Sequence, residues 1–143
     1  SAAKFSQHLH PGLDYANEIK LVNKHSFGDA VLVKRAGKEF AFLITHSETY
    51  SQEEKRFFLK VNALQLDERL NQRTFAVVNE IIEYCAKVKN LPGIYVRFCT
   101  RYGQELQFFL NNGFSVAKND LRMTLKGYPQ RDDMNCINLS KWE

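Results

Sequence analysis

The stretch "LDERLNQRT", Leu66 to Thr74, joins an apolar run to a long helical pattern and places Arg69 and Arg73 beside the helix start. The first turn of a helix leaves backbone N–H groups unpaired and carries the positive end of the helix dipole. A strand–turn–helix junction therefore suits a phosphate. Such turns usually use glycine so that the backbone can come close, and here Gln72 and Thr74 add a Cβ instead. Arg69, Arg73 and the Thr74 hydroxyl can offset part of that loss through charge and hydrogen bonding. The competing reading is a polar connection with two solvated arginines, and the residues of the turn alone leave both open.

Several elements must position this turn. "FFLKVNALQL" (57–66) is the longest strand pattern, and Phe75, Val78, Ile81, Ile82 and Cys85 repeat at the 3,4 spacing of a packed helix between Asn71 and Lys89. Leu91-Pro92-Gly93 stops that helix, "IYVRF" reads as a short strand, and a second helix over Tyr102 to Asn112 ends at Gly113. Upstream, Leu13, Ile19, Leu21 and Val22 predict a helix capped by Asp14 and ended by Gly28. "AVLVKR" and "EFAFLITH" form a hairpin around Ala36-Gly37-Lys38, followed by an exposed connection from Ser47 to Arg56. "FSVAKNDLRMTLKG" gives two strands around Asn119-Asp120. Residues 1–12 read as a loosely held leader, and the tail 128–143 docks through Ile137, Leu139 and Trp142. The order predicts an α/β (α+β) domain with a mixed central sheet, a parallel pair joined by a right-handed crossover, and antiparallel hairpins on either side. In such a sheet ligands favour the carboxyl ends of the parallel strands, which is again Leu66 to Thr74.

Composition sets the bounds. A chain of 143 residues, 44% hydrophobic and 25% charged, makes one globular domain. No apolar run is long enough to span a bilayer, and no secretory signal stands at the start. Cys85, Cys99 and Cys136 are an odd number without close spacing, which argues against disulfides and zinc and for the cytoplasm. His8, His10, His25 and His46 lack metal-ligand spacing, so no metal is expected. A net charge of +4 with scattered basic groups suits an anionic ligand without indicating nucleic acid. Phe57, Phe58, Phe108 and Phe109 fall at core positions with no interleaved basic residues, unlike a base-stacking platform.

Strand, charged turn, long helix, short strand, helix, Gly-Phe and closing hairpin follow one another in an order that resembles the GNAT-type N-acetyltransferases over about residues 13 to 127. The family pattern N-x-x-A-x-x-F-Y-x-x-x-G-F is matched in register by Tyr102-x-x-Glu105-x-x-Phe108-Phe109-x-x-x-Gly113-Phe114. Its pyrophosphate turn, [Q/R]-x-x-G-x-[G/A], falls on Arg69, Leu70, Asn71, Gln72, Arg73 and Thr74, where Arg69 fits and Gln72 and Thr74 replace the small residues. "HPGLDYANEI" followed by "GDAVLV" resembles the start of the second domain in tandem members, and the usual first strand and helix are shortened.

The resemblance implies a GNAT-like sheet with helices on both faces and acetyl-CoA (coenzyme A) as cosubstrate. The pyrophosphate would sit on the 69–74 turn and the pantetheine arm on the backbone of Leu64 and Leu66. The acceptor would be a small-molecule or peptide amine. Acyl transfer needs a base for the ammonium and benefits from an acid for the thiolate. The family's usual acid position is Phe109, which cannot donate a proton, so Tyr102 is the substitute. Base candidates are His46, Glu48, Asp67 and Glu68, with His46 ahead because imidazole titrates near neutrality. The alternative is a catalytically inactive, regulatory GNAT-like module with a degenerate site. A homodimer or an additional N-terminal domain is a further expectation.

Overall fold

The computed structural model describes residues 1–49, 57–119 and 136–140. Strand β1 (Gly28–Arg35) pairs antiparallel with β2 (Lys38–Thr49), from Arg35 opposite Lys38 to Gly28 opposite His46. Ala36 and Gly37 make the turn at φ of 49° and 80°. Positive φ at both central positions matches the right-handed twist of the flanking strands. β3 (Phe57–Leu66) pairs antiparallel with β2, and β4 (Ile94–Val96) lies parallel to β3 over Leu59 to Val61. Between them runs α3 (Gln72–Val88); a single 3-10 turn and α4 (Gly103–Asn111) follow β4. The sheet is mixed, as the sequence predicts, in the order β1-β2-β3-β4, and β5 (Ile137–Ser140) pairs antiparallel with β3.

Period-two alternation sends successive side chains to opposite faces of the sheet. Phe40, Leu43, Leu59, Val61, Leu64 and Leu66 meet Phe75, Val78 and Ile82 of α3 and Phe109 of α4. On the other face Phe42, Ile44 and Ala63 meet Phe5, Tyr15 and Val22. These last belong to α1 (Ala2–Leu9), α2 (Ala16–His25) and the link between them. Each large side chain removed from water in these layers contributes roughly 1.5–3 kcal/mol.

Several segments depart from expectation. Ser47 to Thr49 continue β2 rather than starting an exposed connection. Residues 1–12 are not a loose leader: α1 forms there because Phe5 finds a buried place on the sheet. Gly28 does not end α2; Ser26 does, in the left-handed region at φ 55°. Gly28 instead lies in β1, where a Cβ would fall 1.8 Å from the Thr45 carbonyl oxygen. Residues 114–119 are not in a strand, and the rest of the expected closing hairpin lies outside the described residues, as do residues 50–56 and Trp142. The tail does more than dock, since Ile137 to Ser140 become a strand of the sheet. Gly113 fills its expected role at φ 88°, with the Phe114 N–H donating to the Phe109 carbonyl at 3.1 Å.

Candidate functional site

A bulge in β3 organises the site. Thr45 pairs with Val61 and Ile44 with Ala63, so Asn62 has no residue opposite it in β2. Before the bulge, the Leu59 N–H donates to the Gly93 carbonyl at 3.0 Å, on the β4 side. Beyond it, the Asp67 N–H donates to the Phe40 carbonyl at 3.1 Å, on the β2 side. Odd-numbered residues therefore change sides across Asn62. By the same alternation, the backbone N–H and C=O groups of Leu64 and Leu66 turn away from β2.

β3 changes its other neighbour at the same point. Pairing with β4 runs to Val61, and from Ala63 the partner is β5, with Leu139 opposite Leu64 and Ile137 opposite Leu66. The edge that the resemblance assigns to a pantetheine arm is thus taken by the chain's own tail. Buried side chains fasten it. Gln65 Nε2 donates to Asn138 Oδ1 at 3.1 Å, and the Asn138 N–H reaches Tyr102 Oη at 3.4 Å. Tyr102 is only 1% exposed.

The turn at the start of α3 is also engaged. Asn71 caps the helix: its Oδ1 accepts from the Arg73 and Thr74 N–H groups, both at 3.0 Å. In return Thr74 Oγ1 accepts from the Asn71 N–H at 2.9 Å. This reciprocal box satisfies donors that a phosphate would otherwise meet. Arg69 donates from Nε to Oε1 of Glu105, a carboxylate 1% exposed on α4. That hydrogen bond raises the Arg69 pKa above its ordinary value. The Arg69 guanidinium carbon also lies 5.7 Å from the Tyr102 ring centre. Leu70 is buried and anchors the turn, whereas Gln72 and Arg73 are exposed. Arg73 and Thr74 line a cleft of about 250 Å³ toward the β1–β2 hairpin, with Val33, Lys34, Arg35, Phe40 and Val77.

The two candidate acid–base residues are not brought together. Tyr102 belongs to the layer of α3 and α4. His46 faces α2, where Nε2 lies 2.9 Å from Glu18 Oε1, the Nδ1 edge contacts the Asn62 amide, and the Phe27 ring packs edge-on at 4.8 Å. Both ring nitrogens therefore have a polar neighbour within the fold. Glu68 makes a two-pronged pair with Arg35, at 3.0 and 3.1 Å. Phe109, at the family's tyrosine position, is buried among Phe75, Phe98 and Phe114. Among the described residues no group of three His, Cys, Asp or Glu could hold a metal.

Sequence reasoning missed Glu105, Asn62, Glu18 and Asn138. Glu105 carried a signal, as a carboxylate in a register where the family pattern has alanine. The arginine of the turn and that carboxylate are one interaction, although they stand 36 positions apart.

Three structures illustrate what the chain is similar to. A transcriptional regulator from Bacillus halodurans C-125 is 13% identical at a TM-score of 0.64, over 78% of this chain and 75% of that one. An aminoglycoside N-acetyltransferase in complex with CoA is 10% identical at 0.61, over 87% and 86%. A ribosomal-protein-alanine N-acetyltransferase from Brucella melitensis biovar Abortus is 9% identical at 0.52, over 85% and 79%. No family model and no curated protein matches the sequence. Likeness at these identities concerns the fold: the chain has the fold of the GNAT acetyltransferases.

Proposed function

We propose that this chain is an acyl-CoA-binding domain of the acetyltransferase type, built to pass an acyl group from acetyl-CoA to an amine. The observation that carries this reading is the exchange of neighbours at the Asn62 bulge. Past it, β3 offers the backbone groups of Leu64 and Leu66 to an extended partner, directly before the turn that opens α3. A pantetheine arm is such a partner, an extended chain carrying two amides. On this reading Tyr102, whose hydroxyl contacts the Asn138 N–H beside that edge, would give a proton to the leaving thiolate once β5 has left. A structural neighbour that holds CoA supports the choice of ligand.

The residues in the described arrangement do not fit that ligand as they stand, because β5 holds the edge, Asn71 holds the amides and Glu105 holds Arg69. This favours a second reading, a non-catalytic module that keeps the architecture for regulation or interaction. The neighbour that is a transcriptional regulator accords with it. Backbone resonances distinguish the two. Titration with acetyl-CoA to millimolar concentration is expected to shift the amides of Leu64 to Thr74 progressively. Amides that stay unmoved, in the full chain and in a variant with its tail released, would leave only the second reading.

A further inference from the structure

β5 is placed where an amide-bearing ligand would lie. Its partners are Leu64 and Leu66, the residues whose backbone groups face away from β2 beyond the bulge. It is four residues long, and an extended run of four peptides spans roughly 13 Å, a length comparable to a pantetheine arm. It also contacts Tyr102, through the Asn138 N–H. We propose that the C-terminal strand is an internal occupant of the acyl-CoA groove, and that acetyl-CoA and β5 exclude one another. This rests on the acyl-CoA reading above and adds its regulation.

The physical case is one of shared hydrogen bonds. Backbone groups of Leu64 and Leu66 cannot pair with Leu139 and Ile137 and with pantetheine amides at once. The chain therefore divides between a tail-in state that cannot bind and a tail-out state that can. Apparent affinity falls by the fraction of molecules in the open state. Attachment of the tail makes it an effective competitor at any protein concentration, since its local concentration is set by the chain itself. Ile137 and Leu139 are 0% and 2% exposed, so the docked strand also covers apolar surface that would otherwise meet water. Cys136, 5% exposed with its Sγ 3.5 Å from His10 Nε2, sits immediately before the strand and goes with it.

Two variants of the full chain test the proposal, with acetyl-CoA as the probe. Leu139→Pro removes a ladder N–H from β5 and disfavours the tail-in state. A Gln65→Cys, Asn138→Cys pair, at directly opposed positions, locks the strand when oxidised. Alkylation of Cys136, located by mass spectrometry, reports tail release independently of any ligand. Leu139→Pro is expected to speed that alkylation and raise acetyl-CoA affinity by about tenfold or more. The oxidised pair is expected to lose binding and regain it with reductant. A released tail with unchanged affinity, or a locked tail that still binds, would overturn the exclusion while sparing the acyl-CoA reading. A released tail in a folded protein that binds no acetyl-CoA would overturn that reading and the proposal with it. Should Leu139→Pro fail to fold by circular dichroism, the locked pair alone decides.

Discussion

Arg69 and Glu105 show how a residue of the expected phosphate turn can serve the fold instead. A carboxylate 1% exposed must be paired, and Arg69, at 33% side-chain exposure, pairs it. Removing one member of a buried pair is costly because the other is left uncompensated. Partial exposure of the arginine discounts the figure. Arg69→Ala is expected to cost about 2 kcal/mol in urea denaturation, and adding Glu105→Gln to recover most of it. If the single variant is as stable as the parent, the pair does not hold the fold together. Gly28 is legible only in three dimensions. In the sequence it looks like a helix terminator, because it follows a helical pattern and precedes Asp29. Its real constraint is the Thr45 carbonyl, 1.8 Å from where a Cβ would sit. Gly28→Ala is expected to lower stability by about 3 kcal/mol, seen as a reduced denaturation midpoint. Full tolerance would mean that β1 and β2 lie farther apart at this end.

At the scale of elements, local signals and local structure agree well. Ala36-Gly37 between two apolar runs and Gly113 after a helix each state their backbone geometry in their own residue types. What escaped was non-local. Residues 2–9 form α1 through a docking partner, Phe5 on the far face of the sheet, and little in the polar segment announces it. The Asn62 bulge leaves no residue-type signature, yet it decides which backbone groups of β3 face the tail. The strand character of Ile137 to Ser140 depends on an edge 73 positions away, as the Gln65–Asn138 contact shows. The cap of α3 gives a prediction at this scale. Asn71→Ala is expected to lower stability by about 1 kcal/mol. It also frees the Arg73 and Thr74 N–H groups, so affinity for inorganic pyrophosphate, measured by calorimetry, should rise. A loss of stability with no gain in anion affinity would show that the amides at this turn do not serve a ligand.

For the molecule as a whole, the fold class, the mixed sheet and the crossover were readable because they follow from the order and period of the apolar runs. The state of the groove was not, because it depends on where a distant tail comes to rest. On the proposal above, a GNAT-like fold in which β5 pairs with β3 beyond the Asn62 bulge is one scaffold with two alternative occupants. Local opening of a four-residue strand requires less free energy than global unfolding, so the proposed exchange of occupants can proceed with the rest of the sheet intact. Amide hydrogen exchange of Ile137 to Ser140, with and without saturating acetyl-CoA, tests this most directly. The account predicts that acetyl-CoA strips protection from this strand, adds protection at the Leu66 to Thr74 turn, and leaves β1 and β2 unchanged. Acetyl-CoA that binds while Ile137 to Ser140 keep their full protection would contradict it.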